Sequence, residues 1–391
     1  MRFFFKQNNE VRPLVGWGGN TRHTSAPGDT TLWMLPTFLT FFGLVMVYSA
    51  TFYVSEERHA SDWYYLVRQT GLVVLGFTAL FGGMKVDVEV YRKYAKLAIL
   101  GVIVLMVLQL LFAPLVKSTR RWIPILGLTL QTSELARIVV IGYLARLLSA
   151  DGSLGLKLDR RLFKALIPVG IVIVLTFLQR DLSGAAMIAG LVALILFLGG
   201  LDKKQFWAVT GGLTGATMIA AIILDYTRKR LVGFLDFFFN YNAASISDEN
   251  YQSFQSMIGF GRGGIFGAGL GQGKQKMAFL PELHTDFIFS NVGEELGLWG
   301  AAAVLVAFVI LYLKSLVILK LQTDRFCFLF GSGLIASLLM FALVHMAVTV
   351  GIIPVTGLPL PFISNGGSSL IISLWSMGVL WELSRRVGSF E

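Results

Sequence analysis

Ten apolar stretches, each about as long as a bilayer is thick, dominate this chain. They fall at about 32–54, 66–84, 96–116, 133–149, 163–179, 183–201, 206–224, 295–318, 326–350 and 366–383. A helix needs about 17–25 apolar residues to cross the hydrocarbon core. In lipid every backbone N–H and C=O must be satisfied internally, so stretches of this length imply helices. The expected fold is an all-α polytopic membrane protein of about ten transmembrane helices, with both termini cytoplasmic. Composition agrees: of 391 residues 55% are hydrophobic and only 14% charged, and the mean hydropathy is +0.70. Only Gln179, Arg180 and Asp181 divide the fifth stretch from the sixth, so that boundary rests on three residues.

Residues 1–31 are polar and Gly-rich, with no small-residue cleavage pattern after the first apolar run. They read as a cytoplasmic tail ahead of one integral membrane domain, 32–391. The net charge of +10 does not imply nucleic acid here, because most basic residues sit between apolar stretches and set topology. With the N-terminus inside, the inner segments hold Lys85, Arg92, Lys93, Arg146, Lys203, Lys204, Lys320, Arg325, Arg385 and Arg386. Two outer segments break the trend, with Lys117, Arg120 and Arg121 in one and Arg228, Lys229 and Arg230 in the other. They suit an anionic ligand such as phosphate, and they also suit snorkelling at the bilayer edge. The single Cys327 excludes an internal disulfide and a cysteine metal site.

The second outer cluster opens an extracellular insert, about 225–285, between helices 7 and 8. Its aromatic run Leu231–Tyr241 is expected to lie in the interface as an amphipathic helix. The run GFGRGGIFGAGLGQG at 259–273 permits backbone amides to point at phosphate, and equally permits plain flexibility. It lacks the Gly-Lys-Ser/Thr of a P-loop. The insert ends in PELHTDFIFSNVGEE, residues 281–295, which carries Glu282, His284, Asp286, Glu294 and Glu295. On a helix Asp286, Ser290 and Glu294 would share one face. Ionisable groups at a membrane helix mouth point to function, although a helix-start aspartate also suits the macrodipole. The four histidines have no metal-ligand spacing, and Ser368 and Ser369 fit helix capping better than nucleophilic catalysis.

Taken in order, several motifs resemble those of the SEDS family (shape, elongation, division and sporulation). They are YSAT at 48–51, RWI at 121–123, QTSE at 131–134, QRDLSGA at 179–185, YQSFQS with the glycine run, QK at 275–276, LPELHTDFIF at 280–289, GEELG at 293–297 and PVTGLPLPFISNGGSSL at 354–370. The opening LVMVYSAT and the polar tail favour the division-type members over the elongation or sporulation ones. Departures from the family pattern fall at Thr132, Arg137, Arg180, Arg262, His345 and Asn365.

The resemblance implies a glycosyltransferase that polymerises lipid II into peptidoglycan, with a class B penicillin-binding protein as partner beside other division or elongation membrane proteins. It implies that Asp286, in HTDFIF, is the essential carboxylate, either as general base or as ligand of a divalent cation (magnesium or manganese). Arg121, Lys276, Glu134, Gln131 and His284 become substrate-binding candidates, and Glu282, Glu294 and Glu295 supporting groups behind them. Glu134 and Arg137, at i and i+3, are also expected to form a structural ion pair. The competing function on the same architecture is a lipid II flippase, which needs a polar path through the bilayer instead of a site on one side.

Overall fold

The computed structural model describes residues 28–57, 63–113, 121–125, 128–150, 159–239, 250–277, 279–280 and 282–387. The chain runs α1 (Thr31–Glu57), α2 (Tyr64–Lys85), α3 (Val88–Phe112), β1 (Trp122–Ile125), β2 (Leu128–Gln131), α4 (Thr132–Ala150), α5 (Arg160–Leu178), α6 (Leu182–Leu198) and α7 (Lys203–Ile223). Two helices follow inside the insert, α8 (Asp225–Phe239) and α9 (Tyr251–Gly263). Then come α10 (Ile288–Lys320), α11 (Arg325–Thr349) and α12 (Gly367–Val387). A helix overlies each of the ten expected stretches. By length and composition α1, α2, α3, α10 and α11 are apolar enough to cross a membrane, and α5 and α6 carry shorter apolar runs.

Three differences from the sequence reading have local causes. α3 starts at Val88, well before the expected 96, because the Asp87 side chain accepts from Glu89 N and caps the polar first turns. After α3, β1 and β2 pair as an antiparallel ribbon, Trp122 opposite Gln131, so among the described residues the regular structure is helical apart from this one ribbon. α10 starts at Ile288, not 295, and contains a break at Gly297 (φ 66°). Residues 1–27 of the polar tail, Lys117, Arg120 and Pro281 lie outside the described residues.

The helices sort their faces as a membrane bundle requires. On α3, Leu97, Leu100, Val104, Leu108 and Leu111 form an exposed apolar stripe at helical spacing. Ala95, Ile99, Val102, Met106 and Gln109 face inward. With apolar residues on both faces, close packing has to hold the helices together. α2 and α12 share an extensive contact and approach closely, since a Cβ on Gly378 would stand 2.1 Å from Leu80 O. α4 lies innermost, against α3, α6 and α11, and buries polar residues as well as apolar ones.

The loops expected on one side of the membrane meet at one end of the bundle, where the ribbon, the α5–α6 turn, the insert and the 350–366 segment come together. At the other end the Arg386 guanidinium bonds Asp87 at 2.5 Å, Arg92 pairs with Asp324, Arg146 donates to Arg92 O at 2.9 Å and Arg325 donates to Gly199 O at 2.7 Å. Loops that alternate along the chain therefore gather at two opposite ends of the bundle.

Candidate active site

Asp286 sits in a turn ahead of α10. Glu282, at φ 56°, opens the turn, and its carbonyl accepts from Thr285 N (3.1 Å) and Asp286 N (3.0 Å). The Glu282 side chain accepts from the Thr285 hydroxyl at 3.2 Å. A second segment grips the turn from outside: Ser364 Oγ donates to Thr285 O at 2.7 Å and Asn365 N donates to His284 O at 3.0 Å. The His284 ring meets Tyr65 edge-on, 5.6 Å between centroids. Phe287 and Ile288, both fully buried, anchor the chain as it enters the helix. Asp286 itself is half-buried. It is not on the helix, so the face expected to join it to Ser290 and Glu294 does not form. Ser290 instead donates to Ser256 O on α9 at 3.0 Å.

Gly357 marks where two charges meet. A Cβ on Gly357 would lie 3.4 Å from Asp286 Oδ2 and 4.0 Å from an Arg121 Nη atom, so the carboxylate and the guanidinium flank one glycine. Its φ of +68° suits a residue without a side chain. His345, buried on α11, holds the neighbouring residue through Nδ1 and Leu358 O at 2.8 Å. Arg121 lies 5.6 Å over the Trp122 ring and 3.9 Å from Asp181 Oδ1. Asp181 is fully buried and caps α6 by accepting from Gly184 N at 2.9 Å. It also accepts from Gln131 Nε2 at 2.8 Å and Ser133 Oγ at 2.7 Å. Asp181, read from sequence as a divider between helices and as part of the QRDLSGA motif but given no role, thus stands behind Arg121, and Gln131 spends its amide on that carboxylate.

Beside this pair Gln131, Ser133, Glu134 and Arg137 line a small cavity of about 10 Å³, room for about one water, closed by Phe341 and Leu358. Glu134 Oε2 and Arg137 Nε and Nη1 are buried without a hydrogen-bond partner. The ion pair expected between them does not close. The Arg137 guanidinium instead stacks on the Phe341 ring, 3.9 Å from its centroid, and attracts Glu134 across the cavity. Buried polar groups in that state are what waters or a polar ligand would satisfy. The Ser368 hydroxyl borders the same place and accepts from Gln131 N at 3.3 Å, a role the capping reading did not include.

Lys276 has a different setting from the one expected of a substrate-binding cation. It is 4% exposed, and its ammonium bonds Glu295 at 3.0 Å, Ser49 at 3.2 Å and Gly271 O at 2.5 Å. The glycine run is likewise committed. Lys274 N and Gln275 N donate to the Glu294 carboxylate (2.8 and 3.1 Å), and Gly271 N donates to Glu295 Oε2 (3.0 Å). The nest of amides imagined for phosphate therefore binds the protein's own carboxylates. Arg262, a departure from the family pattern, joins them 3.7 Å from Glu294. Thr132, another departure, donates its hydroxyl to Gln109.

No group of three or more His, Cys, Asp or Glu side chains able to hold a metal occurs among the described residues. A cation at Asp286 would draw its other ligands from phosphate oxygens and water, as magnesium commonly does.

The family model described as "Cell cycle protein", FTSW_RODA_SPOVE, matches residues 29–388. The chain belongs to this FtsW/RodA/SpoVE family. Within the family it is 35% identical, over 92% of its length and 95% of the relative's, to a protein of Geobacter metallireducens named probable peptidoglycan glycosyltransferase FtsW. A protein of Coxiella burnetii bearing the same name is 33% identical, over 88% and 92% of the two chains. Among solved structures the chain matches one described as "Structural coordination of polymerization and crosslinking by a peptidoglycan synthase complex". The TM-score is 0.73 at 25% identity, over 92% of this chain and 98% of the other. The crystal structure of the rod shape determining protein RodA of Thermus thermophilus shares the fold, with a TM-score of 0.66 at 24% identity over 92% and 97%. An FtsW/RodA/SpoVE protein of this fold is a multi-pass membrane protein.

Proposed function

We propose that this chain is a peptidoglycan glycosyltransferase. It polymerises lipid II at the outer face of the bacterial cytoplasmic membrane, at the division septum, beside a class B penicillin-binding protein that crosslinks the product. One observation carries the chemistry: a carboxylate, Asp286, and a guanidinium, Arg121, flank Gly357 at the end of the bundle away from the Arg386–Asp87 and Arg92–Asp324 pairs. The names of the FtsW relatives support the reaction and the division role. The likeness to a chain of a peptidoglycan synthase complex supports the partner. The basic residues at the opposite end support its facing the cytoplasm.

In this reading an acceptor sugar hydroxyl attacks the anomeric carbon of a lipid-linked donor. The new C–O bond forms as the bond to pyrophosphate breaks, and Asp286 takes the hydroxyl proton. Arg121 faces the negative charge that departs with the lipid, held in place by Asp181 and Trp122. A positioned base contributes about 10²–10⁴-fold. The other role open to Asp286 is to hold a divalent cation on the pyrophosphate, and a chelator added to the assay separates the two.

The test is purified protein with its cognate penicillin-binding partner and labelled lipid II. Glycan ladders should form and persist with penicillin present. Absence of polymer, together with movement of lipid II across liposomes by the same preparation, would replace the enzyme with a flippase.

A further inference from the structure

The break at Gly297 leaves residues 288–296 as a half-helix of about 13 Å that continuous helix geometry does not hold in line with the rest of α10. Its direction depends on what grips its far end. Leu298 N donates to Gly264 O at 2.9 Å, while the carbonyls of Glu294 and Glu295 accept from Ala268 N (2.9 Å) and Gly269 N (3.0 Å). The glycine run thus completes the hydrogen bonding that the break interrupts. The two side chains then fasten the end of the run and the residues just after it, Glu294 through the amides of Lys274 and Gln275, and Glu295 through Gly271 N and the Lys276 ammonium. Ser49 of α1 donates to Glu295 Oε1 at 2.6 Å and ties the group to the bundle. Glu294, Glu295, Lys276 and Ser49 are all buried. These contacts close the neck of a loop, residues 276–294, and Asp286 lies within it, two residues ahead of the half-helix.

We propose that Glu295, with Lys276 and Ser49, is a positioning residue for glycosyl transfer: the buried group closes the neck of the loop and thereby sets where the Asp286 carboxylate stands. None of the three touches the reacting atoms. The inference rests on the polymerase reading, in which Asp286 is the base. A displacement of about 1 Å in such a group can cost about 100-fold in rate.

The experiment measures lipid II polymerisation by the complex with the penicillin-binding partner for wild type, Asp286→Ala, Glu295→Gln, Lys276→Met and Ser49→Ala. Expected are kcat falls of at least about tenfold for Glu295→Gln and Lys276→Met, and about threefold or more for Ser49→Ala. KM should stay within about twofold of wild type, and Glu295→Gln combined with Lys276→Met should lose little more than either alone. Ser49→Ala removes one hydroxyl from a helix and leaves packing intact, so it decides the matter if the charge variants fail to accumulate. Wild-type kcat in Ser49→Ala and in every variant that accumulates, or losses confined to KM, would overturn the positioning role while Asp286→Ala stays inactive. Polymerisation persisting in Asp286→Ala would instead overturn the polymerase reading beneath it.

Discussion

Gly357 shows how much one missing side chain can matter. Its φ of +68° costs an L-residue about 1–2 kcal/mol. Its absent Cβ also leaves open the space between Asp286 and Arg121. Gly357→Ala is therefore expected to accumulate normally yet polymerise at least about tenfold more slowly, equivalent to about 1.4 kcal/mol of barrier. Polymer formed per mole of folded protein is the measurement. At this scale the sequence was uneven as a guide. HTDFIF singled out Asp286, and RWI singled out Arg121. QRDLSGA included Asp181 but gave it no role, because its partners Arg121, Gln131 and Ser133 lie about 50–60 positions away and only folding brings them together. Lys276 misled for the opposite reason. A lysine beside a glycine run suggests phosphate, and nothing in its spacing reveals that Glu295 and Ser49 enclose it.

Among the elements, α2 and α12 were legible as apolar runs, but their contact was not. Gly83 and Gly378 admit the close approach. A Cβ on either would meet backbone of the other helix, at 2.6 Å from Trp375 O for Gly83 and 2.1 Å from Leu80 O for Gly378. Backbone cannot rotate aside as a side chain can, so Gly378→Val should cost at least the 1–3 kcal/mol typical of overpacking. The expected result is a lowered melting temperature in detergent and poor accumulation, whatever the activity of the fraction that folds. The break in α10 was equally hidden. GEELG reads as a continuous helix start, and only the approach of Gly267 N, 2.4 Å from a Cβ on Gly297, shows why a glycine stands there. The ribbon was missed because Trp122–Gln131 is too short for periodicity to declare it.

For the whole molecule, ten apolar stretches and the placement of basic residues were enough to locate the helices along the chain and group their loops by end, but not to say which helices pack together. The two ends differ in kind. One joins Asp286, Arg121, Asp181 and the glycine run. The other is stitched by Arg386–Asp87, Arg92–Asp324 and capping aspartates. That second end should govern stability without touching chemistry. Asp324 caps α11 by accepting from Phe326 N at 2.9 Å, besides pairing with Arg92. Asp324→Ala should cost about 0.5–2 kcal/mol through the cap, with little added by the part-exposed pair. Thermal unfolding should register that loss while polymerisation per folded molecule stays at the wild-type value.

The proposed reaction turns on Asp286. The direct measurement is the rate of glycan polymerisation from labelled lipid II by Asp286→Asn and wild type, each purified with the penicillin-binding partner and matched for melting temperature. Asparagine keeps the shape and removes the base. The predicted result is a loss of about 10²–10⁴-fold with the partner still bound. A rate within a few-fold of wild type would contradict the assignment.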